Sequence, residues 1–362
     1  MEAFFSFCLV FGVGSLGYFA FRLLHIPNPA LLGAMAATGA LNIAGCYPVF
    51  DTGFVSFVAN VTIGIMLGRQ IDRNLLRRLR ILARPVLLQV VGMLTLSLAC
   101  GVAMHLMYSN ASVPTALISG AAGGITEMAV FAMSIDADAA VVVFIQLFRV
   151  VIFLFLIPCL SIVAEKIEKT SPKIFAKKGK RAEEYRKAEA RSSSCGKKFG
   201  KKDYALLTVL AFAGAIIGIR LEIPTGAMLG AMFGCGLFSV FINKNYFFDD
   251  RLRNIAQIGL GLVMGQRMKP QIVSQLSALF FPAMVVTVVM LTGCVLLAFF
   301  LYRTTPWDLT TCLLCSAPAG MSQIVTFADE IGVDPFTAAA FHTVRNVGIV
   351  SLYPWLVMPF TS

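Results

Sequence analysis

The stretch IPNPALLGAM at residues 26–35 returns, little changed, as IPTGAMLGAM at residues 223–232, which is 197 positions later. The match continues in register, because IGIMLGRQ at 63–70 aligns with LGLVMGQR at 260–267 at the same spacing. An internal correspondence of this kind within apolar, glycine-rich sequence is typical of a membrane protein built from structural repeats.

The second part of each repeat matches at a spacing of 196, because AAGGITEM at 121–128 aligns with APAGMSQI at 317–324. Three single positions keep this spacing and are identical in both copies: Asp138 and Asp334, Arg149 and Arg345, and Pro158 and Pro354. The sequence therefore predicts a first membrane repeat at residues 1–163, a basic linker at 164–202 and a second membrane repeat at 203–362.

Composition indicates a polytopic membrane protein. Of the 362 residues, 58% are apolar and only 14% are charged, against about 25% charged in a soluble domain. Long apolar runs must be helices in a bilayer, where the backbone has no water to bond. We expect the first run to be a helix and not a cleaved signal peptide, because its start, MEAFF, lacks basic residues. The ten predicted spans lie near 3–24, 28–46, 54–68, 84–107, 138–163, 203–221, 224–243, 253–266, 278–302 and 335–360.

The net charge of +11 comes mostly from the linker at 164–202, which holds fourteen Lys and Arg against five Glu. A polar segment of this kind cannot bury enough surface to fold alone, and its basic excess predicts a cytoplasmic loop. We expect it to contact anionic lipid headgroups and do not expect nucleic-acid binding. Cys312 and Cys315 form an isolated C-x-x-C without nearby histidines, so we expect packing residues and no metal or cofactor.

Loop charges predict that the second repeat is inverted. The stretch at 69–84, read as a loop, carries six Arg and should be cytoplasmic, like the linker. An even number of crossings must separate them, so residues 112–134 are predicted to return to their own side as a re-entrant segment. Each repeat then crosses five times and the second enters upside down. The predicted fold is all-α, with about ten transmembrane helices in two inverted five-helix repeats with glycine-broken re-entrant segments.

Glycine and proline interrupt two apolar segments, 114–138 and 311–334, in their middle. Irregular backbone survives at membrane depth only where protein or a water-filled cavity satisfies it, and half-helix ends there can bind ions. The backbone positions singled out at the breaks are Gly123, Gly124, Pro318 and Gly320. Hydroxyl, carboxylate and amide groups follow them at Thr126, Ser322, Glu127 and Gln323, which predicts a substrate site or a coupling site for a proton or sodium ion. The alternative is a surface loop with a solvated Glu127.

Arg149 and Arg345 each lie well inside an apolar span, where a charged side chain must face the protein interior and find a partner. Two roles fit these arginines. In the functional role, the planar guanidinium recognises an anion or acts as a counter-charge to Glu127. In the structural role, each arginine locks its helix against the hairpin of its own repeat. His342 shares a helix face with Arg345, as Gln146 does with Arg149. Proton coupling and a backbone hydrogen bond both suit His342. Asp138 and Asp334 are predicted helix caps.

The doubled pattern P-x-x-x-LLGAM, P-x-x-x-LGAM, GGITEM and PAGMSQI, with the paired Asp and Arg, resembles the AbrB membrane-protein family over nearly the whole chain outside the linker. Members of that family carry an internal duplication and are labelled AbrB-type regulators or ammonia monooxygenases. The resemblance carries over no established site residues. Histidines at 25, 105 and 342 lie in different spans, so they do not supply the ligand cluster of a copper or iron oxidase.

The function expected from the sequence is secondary transport of a small, anionic solute by alternating access, in the inner membrane of a bacterium. The alternative is a membrane-embedded sensor or regulator that acts through a cytoplasmic partner. We do not expect an enzyme, because the chain lacks a nucleophile and base, a metal cluster or a phosphate loop at meaningful spacing. Assembly into a homo-oligomer is compatible with the sequence.

Overall fold

A computed structural model of the chain describes residues 2–45, 52–71, 73–169, 201–223, 225–242, 249–268, 271–305, 307–318, 328 and 335–360. Within this part the chain is helical and contains no strand. The first half forms α1 (Glu2–Leu23), α2 (Pro29–Ile43), α3 (Thr52–Gly68), α4 (Arg73–Met107), α5 (Val113–Gly120), α6 (Ile125–Ser134) and α7 (Ala139–Lys169).

The second half repeats the same order of long and short helices. It forms α8 (Lys201–Arg220), α9 (Gly226–Ile242), α10 (Asp250–Gln266), α11 (Gln271–Thr304), α12 (Leu309–Ser316) and α13 (Pro335–Val357), followed by a 3-10 turn at Met358–Phe360. Helices α1–α5 correspond to α8–α12, and α7 corresponds to α13. Each of the ten predicted spans therefore contains a helix. Of the positions equivalent to α6, 321–330, the structure describes only residue 328.

The helices have the composition of a membrane protein. In the described part, the stretches long and apolar enough to cross a bilayer are Ala83–Met107, Asp203–Arg220 and Ser277–Thr304. Shorter apolar helices include Cys8–Leu23, Pro29–Ile43, Thr52–Gly68, Ala139–Phe153 and Gly226–Phe241. Large apolar side chains such as Leu87, Phe155 and Phe241 are exposed on helix surfaces, where a soluble protein of this size would expose far less apolar surface.

One prediction about the Arg-rich stretch at 69–84 was wrong. The charge pattern predicts a loop here, but α4 begins at Arg73 and continues through this stretch to Met107. The reason is local, because the Leu, Arg and Ala residues between 73 and 84 are good helix formers and the stretch contains no glycine. Pro85 lies inside the same helix.

The helices pack into two bundles, and each bundle takes helices from both halves of the chain. The first bundle contains α1–α3 and α8–α10, and the second contains α4–α7 and α11–α13. Packing is extensive inside each bundle. Between the bundles, among the described residues, only α4 with α9 and α6 with α10 make more than marginal contact.

Glycines bring the helices of the first bundle into backbone contact. A Cβ atom at Gly64 of α3 would stand 2.4 Å from the carbonyl oxygen of Met228 in α9. At the equivalent position of α10, a Cβ atom at Gly261 would stand 2.6 Å from the carbonyl oxygen of Leu31 in α2. The two contacts are related by the internal repeat, residue for residue, because Gly261 follows Gly64 and Met228 follows Leu31 by 197 positions.

The counterpart helices α4 and α11 lie against each other in the second bundle and run in opposite directions. Gly92 of α4 meets Leu297 of α11, while Leu96 meets Gly293. The residue numbers at the contact rise along α4 as they fall along α11, which is the pattern of an antiparallel pair. At this contact, the corresponding helices of the two halves are therefore antiparallel.

Helices α5 and α6 form a hairpin that returns to the end from which it starts. The backbone N–H of Asp138, just after the hairpin, donates to Thr115 Oγ1 near its beginning, at 3.0 Å. Asp138 also caps α7, because its Oδ1 accepts hydrogen bonds from the backbone N–H groups of Ala140 and Val141. The capping role predicted for Asp138 is confirmed, and Asp334 lies outside the described residues.

Candidate functional site

The tip of the hairpin, residues 121–124, has extended backbone and is largely buried. It contains both glycines singled out from the sequence. A Cβ atom at Gly124 would stand 2.0 Å from a carboxylate oxygen of Glu127, and one at Gly123 would stand 2.7 Å from the methyl carbon of Met128. The two glycines therefore leave room for the first turn of α6 to fold close over the tip.

Arg149 and Gln146 of α7 hold this tip from one side. Arg149 Nη1 donates to the Ala121 carbonyl at 2.7 Å, and its Nη2 donates to the Gly123 carbonyl at 3.3 Å and to Gln146 Oε1. Gln146 Nε2 also donates to the Ala121 carbonyl, at 2.9 Å, and to the Ile118 carbonyl, at 3.3 Å. The Ala121 and Gly123 carbonyls lie just beyond the end of α5, where the helix supplies no N–H partner, so the buried guanidinium and amide satisfy them. The Ile118 carbonyl also accepts the backbone N–H of Ala121.

Two further side chains hold the same hairpin, and sequence reasoning missed both. Ser97 Oγ of α4 accepts the backbone N–H of Ala122 at 2.9 Å. Tyr353 of α13 donates its hydroxyl to the Leu117 carbonyl at 2.7 Å, which links the hairpin to the second half of the chain. The repeat contained a signal for this bond, because the acceptor and the donor are both replaced in the second copy. The counterpart of Ser97 is Cys294, and the counterpart of Ala122 is Pro318, which has no N–H to donate.

The second half reproduces the lock. Arg345 Nη1 donates to the Ala317 carbonyl at 2.5 Å, which matches the bond of Arg149 to Ala121 at a spacing of 196. His342 Nε2 lies 2.8 Å from the Leu314 carbonyl and therefore donates to it. Pro318 follows directly and is buried.

Three of the predicted site residues, Gly320, Ser322 and Gln323, lie outside the described residues. The described part of each broken segment contacts the last helix of the other repeat, because α5 contacts α13 and α12 contacts α7. Cys312 and Cys315 on α12 are buried and do not form a disulfide. Within the described part of the chain, no three His, Cys, Asp or Glu side chains come together as a metal site.

Glu127 is buried, which contradicts the alternative in which it is a solvated surface residue. It is 7% exposed and lies in the first turn of α6, where a carboxylate interacts favourably with the helix N-terminus. Its carboxylate lies over Gly124. The ion pairs found between described residues, Asp250 with Arg253 and Asp136 with Arg267, do not include Glu127. The counter-charge role considered for Arg149 is therefore not seen in this structure.

Thr126 lies where the two bundles meet. Its Oγ1 accepts a hydrogen bond from Asn28 Nδ2 at 2.9 Å and another from Gln257 Nε2 at 3.2 Å. Asn28 precedes α2 and Gln257 lies in the middle of α10, so two helices of the first bundle hold one hydroxyl of the second. The sequence contained a signal for this contact. Both repeats have an amide side chain at the same position of the third span, Asn60 and Gln257.

The sequence of the chain matches a known protein family. The family model described as "Transition state regulatory protein AbrB" matches the chain twice, over residues 1–165 and 170–361. "Uncharacterized protein YhjN" of Bacillus subtilis (strain 168) is 22% identical over 305 residues, which are 82% of this chain and 76% of that protein. The two family matches together cover nearly the full length.

Proposed function

The chain belongs to the AbrB family, and on that basis together with the geometry above we propose that it is a secondary transporter of a small anionic solute. On this proposal it has about ten transmembrane helices in the inner membrane of a bacterium, without enzymatic activity and without a bound cofactor or metal. Solute and coupling ion reach a site between the two bundles, and the bundles move against each other so that the site opens to each side in turn.

The antiparallel packing of α4 against its counterpart α11 supports inverted repeats. A two-fold axis along the membrane normal would leave counterpart spanning helices parallel, whereas an axis in the membrane plane reverses them. The bond between Asp138 and Thr115 supports a re-entrant hairpin, which gives each repeat an odd number of crossings. Inverted repeats with broken helices at their interface are the architecture of many secondary transporters.

The observation that carries the proposal is the position of Thr126. The hairpin of one bundle places a buried hydroxyl against Asn28 and Gln257 of the other bundle, beside the buried Glu127. Any movement of one bundle against the other must change this contact. The charged side chains buried in the described part are Arg149, Arg345 and Glu127, and this positive balance favours an anion as solute. Glu127 is the candidate for proton or sodium coupling.

A thermal-unfolding screen of the purified protein against small organic anions, amino acids and metal ions, with and without sodium, tests the proposal. Anything that binds the native state raises the unfolding temperature by mass action. We expect an organic anion to do so, and the same anion to accumulate in proteoliposomes under a proton or sodium gradient. A protein that binds the anion but moves none of it across the liposome membrane would contradict transport.

A membrane-embedded regulator is the second candidate, and the description of the matching family as a regulatory protein favours it. On this alternative the site between the two bundles binds a signal and the basic linker binds a cytoplasmic partner. Deletion of residues 172–198 separates the two functions. Transport should survive the deletion because the linker only joins the repeats, whereas regulation through the linker should be lost.

A further inference from the structure

The polar cluster between the bundles has hydrogen-bonding capacity that the described protein does not use. The Thr126 hydroxyl accepts from Asn28 and from Gln257 and, among the described residues, donates to no acceptor. Gln257 uses its Nε2 there, while its Oε1 bonds to no group in the described part of the chain. Both side chains are more than nine-tenths buried. Buried polar groups are nearly always satisfied, so an O–H donor and a carbonyl acceptor remain for a ligand.

Two helix N-termini meet at the same point. Asn28 immediately precedes α2, Thr126 is the second residue of α6, and the hydrogen bond between them brings the two helix starts side by side. Neither N-cap residue, Asn28 or Gly124, makes a side-chain capping bond, and α2 begins with Pro29, which has no N–H. Uncapped first-turn N–H groups and the helix dipole favour an anion, and here they come from helices of opposite bundles.

We propose that Asn28, Thr126 and Gln257 form the subsite that binds the carboxylate of the transported solute. The inference rests on the proposed function and adds to it the binding residues and the ligand chemistry. The Thr126 hydroxyl and the first-turn N–H groups donate to the carboxylate oxygens. Gln257 Oε1 accepts from a hydroxyl or amino group next to that carboxylate, so the fitting class is a small hydroxy acid or amino acid. A ligand held in this way contacts both bundles at once.

Glu127 sets the charge of this subsite. Its carboxylate lies over Gly124 at the start of the same helix, so a bound anion competes with it for the first-turn N–H groups. Replacement of Glu127 by Gln removes that competing charge while keeping the size of the side chain. The attraction of the subsite for anions is therefore greater in Glu127→Gln than in the unchanged protein.

Thiol labelling in membrane vesicles tests the proposal without a known solute. The full chain carries Thr126→Cys, or Gln257→Cys as a second variant, each with and without Glu127→Gln. The reagents are an anionic ethylsulfonate and a cationic ethyltrimethylammonium methanethiosulfonate, and each rate is divided by that reagent's rate with free 2-mercaptoethanol. Thr62→Cys is the matched control, because Thr62 is half-buried on α3 and its side chain bonds only to its own helix. Unsubstituted protein gives the background of the native cysteines.

The expected result is a thiol at position 126 that, with Glu127→Gln, reacts about tenfold faster with the anionic than with the cationic reagent. Acetate should slow this reaction and acetamide should not. A preference for the cationic reagent in both backgrounds, or a reaction no faster than that of Thr62→Cys at both positions, overturns the subsite. Labelling does not require transport, so a protein that labels as expected but moves no solute refutes the proposed function alone.

Discussion

The sequence leaves two roles open for Arg149, and its contacts in the structure favour one of them. Its guanidinium donates to the Ala121 and Gly123 carbonyls and to Gln146, all within its own repeat. An arginine committed in this way holds the hairpin against α7 and has fewer donors left for a solute. The matching bond from Arg345 to Ala317 favours the same role in the second repeat. His342 donates to a backbone carbonyl, which was the simpler of its two alternatives.

Replacement of Arg149 should therefore destabilise the protein in proportion to the donors removed. We expect Arg149→Lys to lower the free energy of unfolding by about 1–2 kcal/mol, because the ammonium keeps the charge but not the planar fork. Arg149→Met removes the donor to the Gly123 carbonyl and to Gln146 Oε1, and leaves the Ala121 carbonyl with Gln146 alone, so it should lower the free energy of unfolding by about 3 kcal/mol. Denaturant unfolding in mixed micelles measures both values. Arg22→Met is the control, because Arg22 is exposed and bonds only to Tyr18.

The pair formed by Ser97 and Ala122 allows a test of the repeat at single-residue resolution. Ser97→Ala removes the acceptor of the Ala122 N–H and should cost about 1 kcal/mol. Ala122→Pro, which copies Pro318 of the second repeat, removes the donor instead. A double-mutant cycle should therefore find that the proline costs less when Ser97 is already alanine, by about the value of one hydrogen bond. Strictly additive effects would show that this bond does not hold the hairpin tip.

At the scale of helices, glycines determine how closely the first bundle packs. Gly64→Ala or Gly261→Ala would put a Cβ atom against a backbone carbonyl of the neighbouring helix, so the helices must separate. We expect each substitution to lower the free energy of unfolding by about 1–3 kcal/mol. Gly12→Ala is the matched control, because the Cβ atom there meets no atom within 4 Å and alanine favours a helix. Equal stability of all three variants would exclude close packing at Gly64 and Gly261.

The sequence predicted the helices well because a bilayer leaves an apolar run few alternatives. It also predicted the break at Gly123 and Gly124, since glycine pairs in an apolar segment are rare signals. The contacts of Thr126 could not be predicted, because Asn28 and Gln257 reach it only through the packing of the two bundles. The helical start of α4 at Arg73 was missed because the arginines were read for their charge and not for their helix propensity.

At the scale of the whole molecule, duplication explains why each bundle contains helices of both repeats. Helix α2 packs on α10 and α3 packs on α9 in the first bundle, while α4 packs on α11 in the second. Each bundle therefore takes packing partners from both copies. If the two halves are inverted, as proposed, they give two packings of similar free energy, one open to each side. Alternating access needs such a pair of states.

Cross-linking the two bundles should therefore stop transport without unfolding the protein. Arg267, at the end of α10, forms an ion pair of 3.3 Å with Asp136, which follows α6, so this exposed contact joins the first bundle to the second. The test uses Asp136→Cys with Arg267→Cys, bridged through disulfide bonds by a short bifunctional methanethiosulfonate. We expect the bridged protein to lose most of its uptake in proteoliposomes, measured with an anion found in the thermal screen. Uptake should return when the bridge is reduced.

The control for this cross-link is Asp250→Cys with Arg253→Cys, which replaces an exposed ion pair within α10. The same reagent bridges two positions of one helix there, so the bundles stay free to move and uptake should be unchanged. If the bridged 136–267 pair carries solute at the rate of the control, the two bundles do not move apart at this contact during transport. Alternating access would then have to come from motion within a bundle, where the close glycine contacts leave the helices the least room to slide.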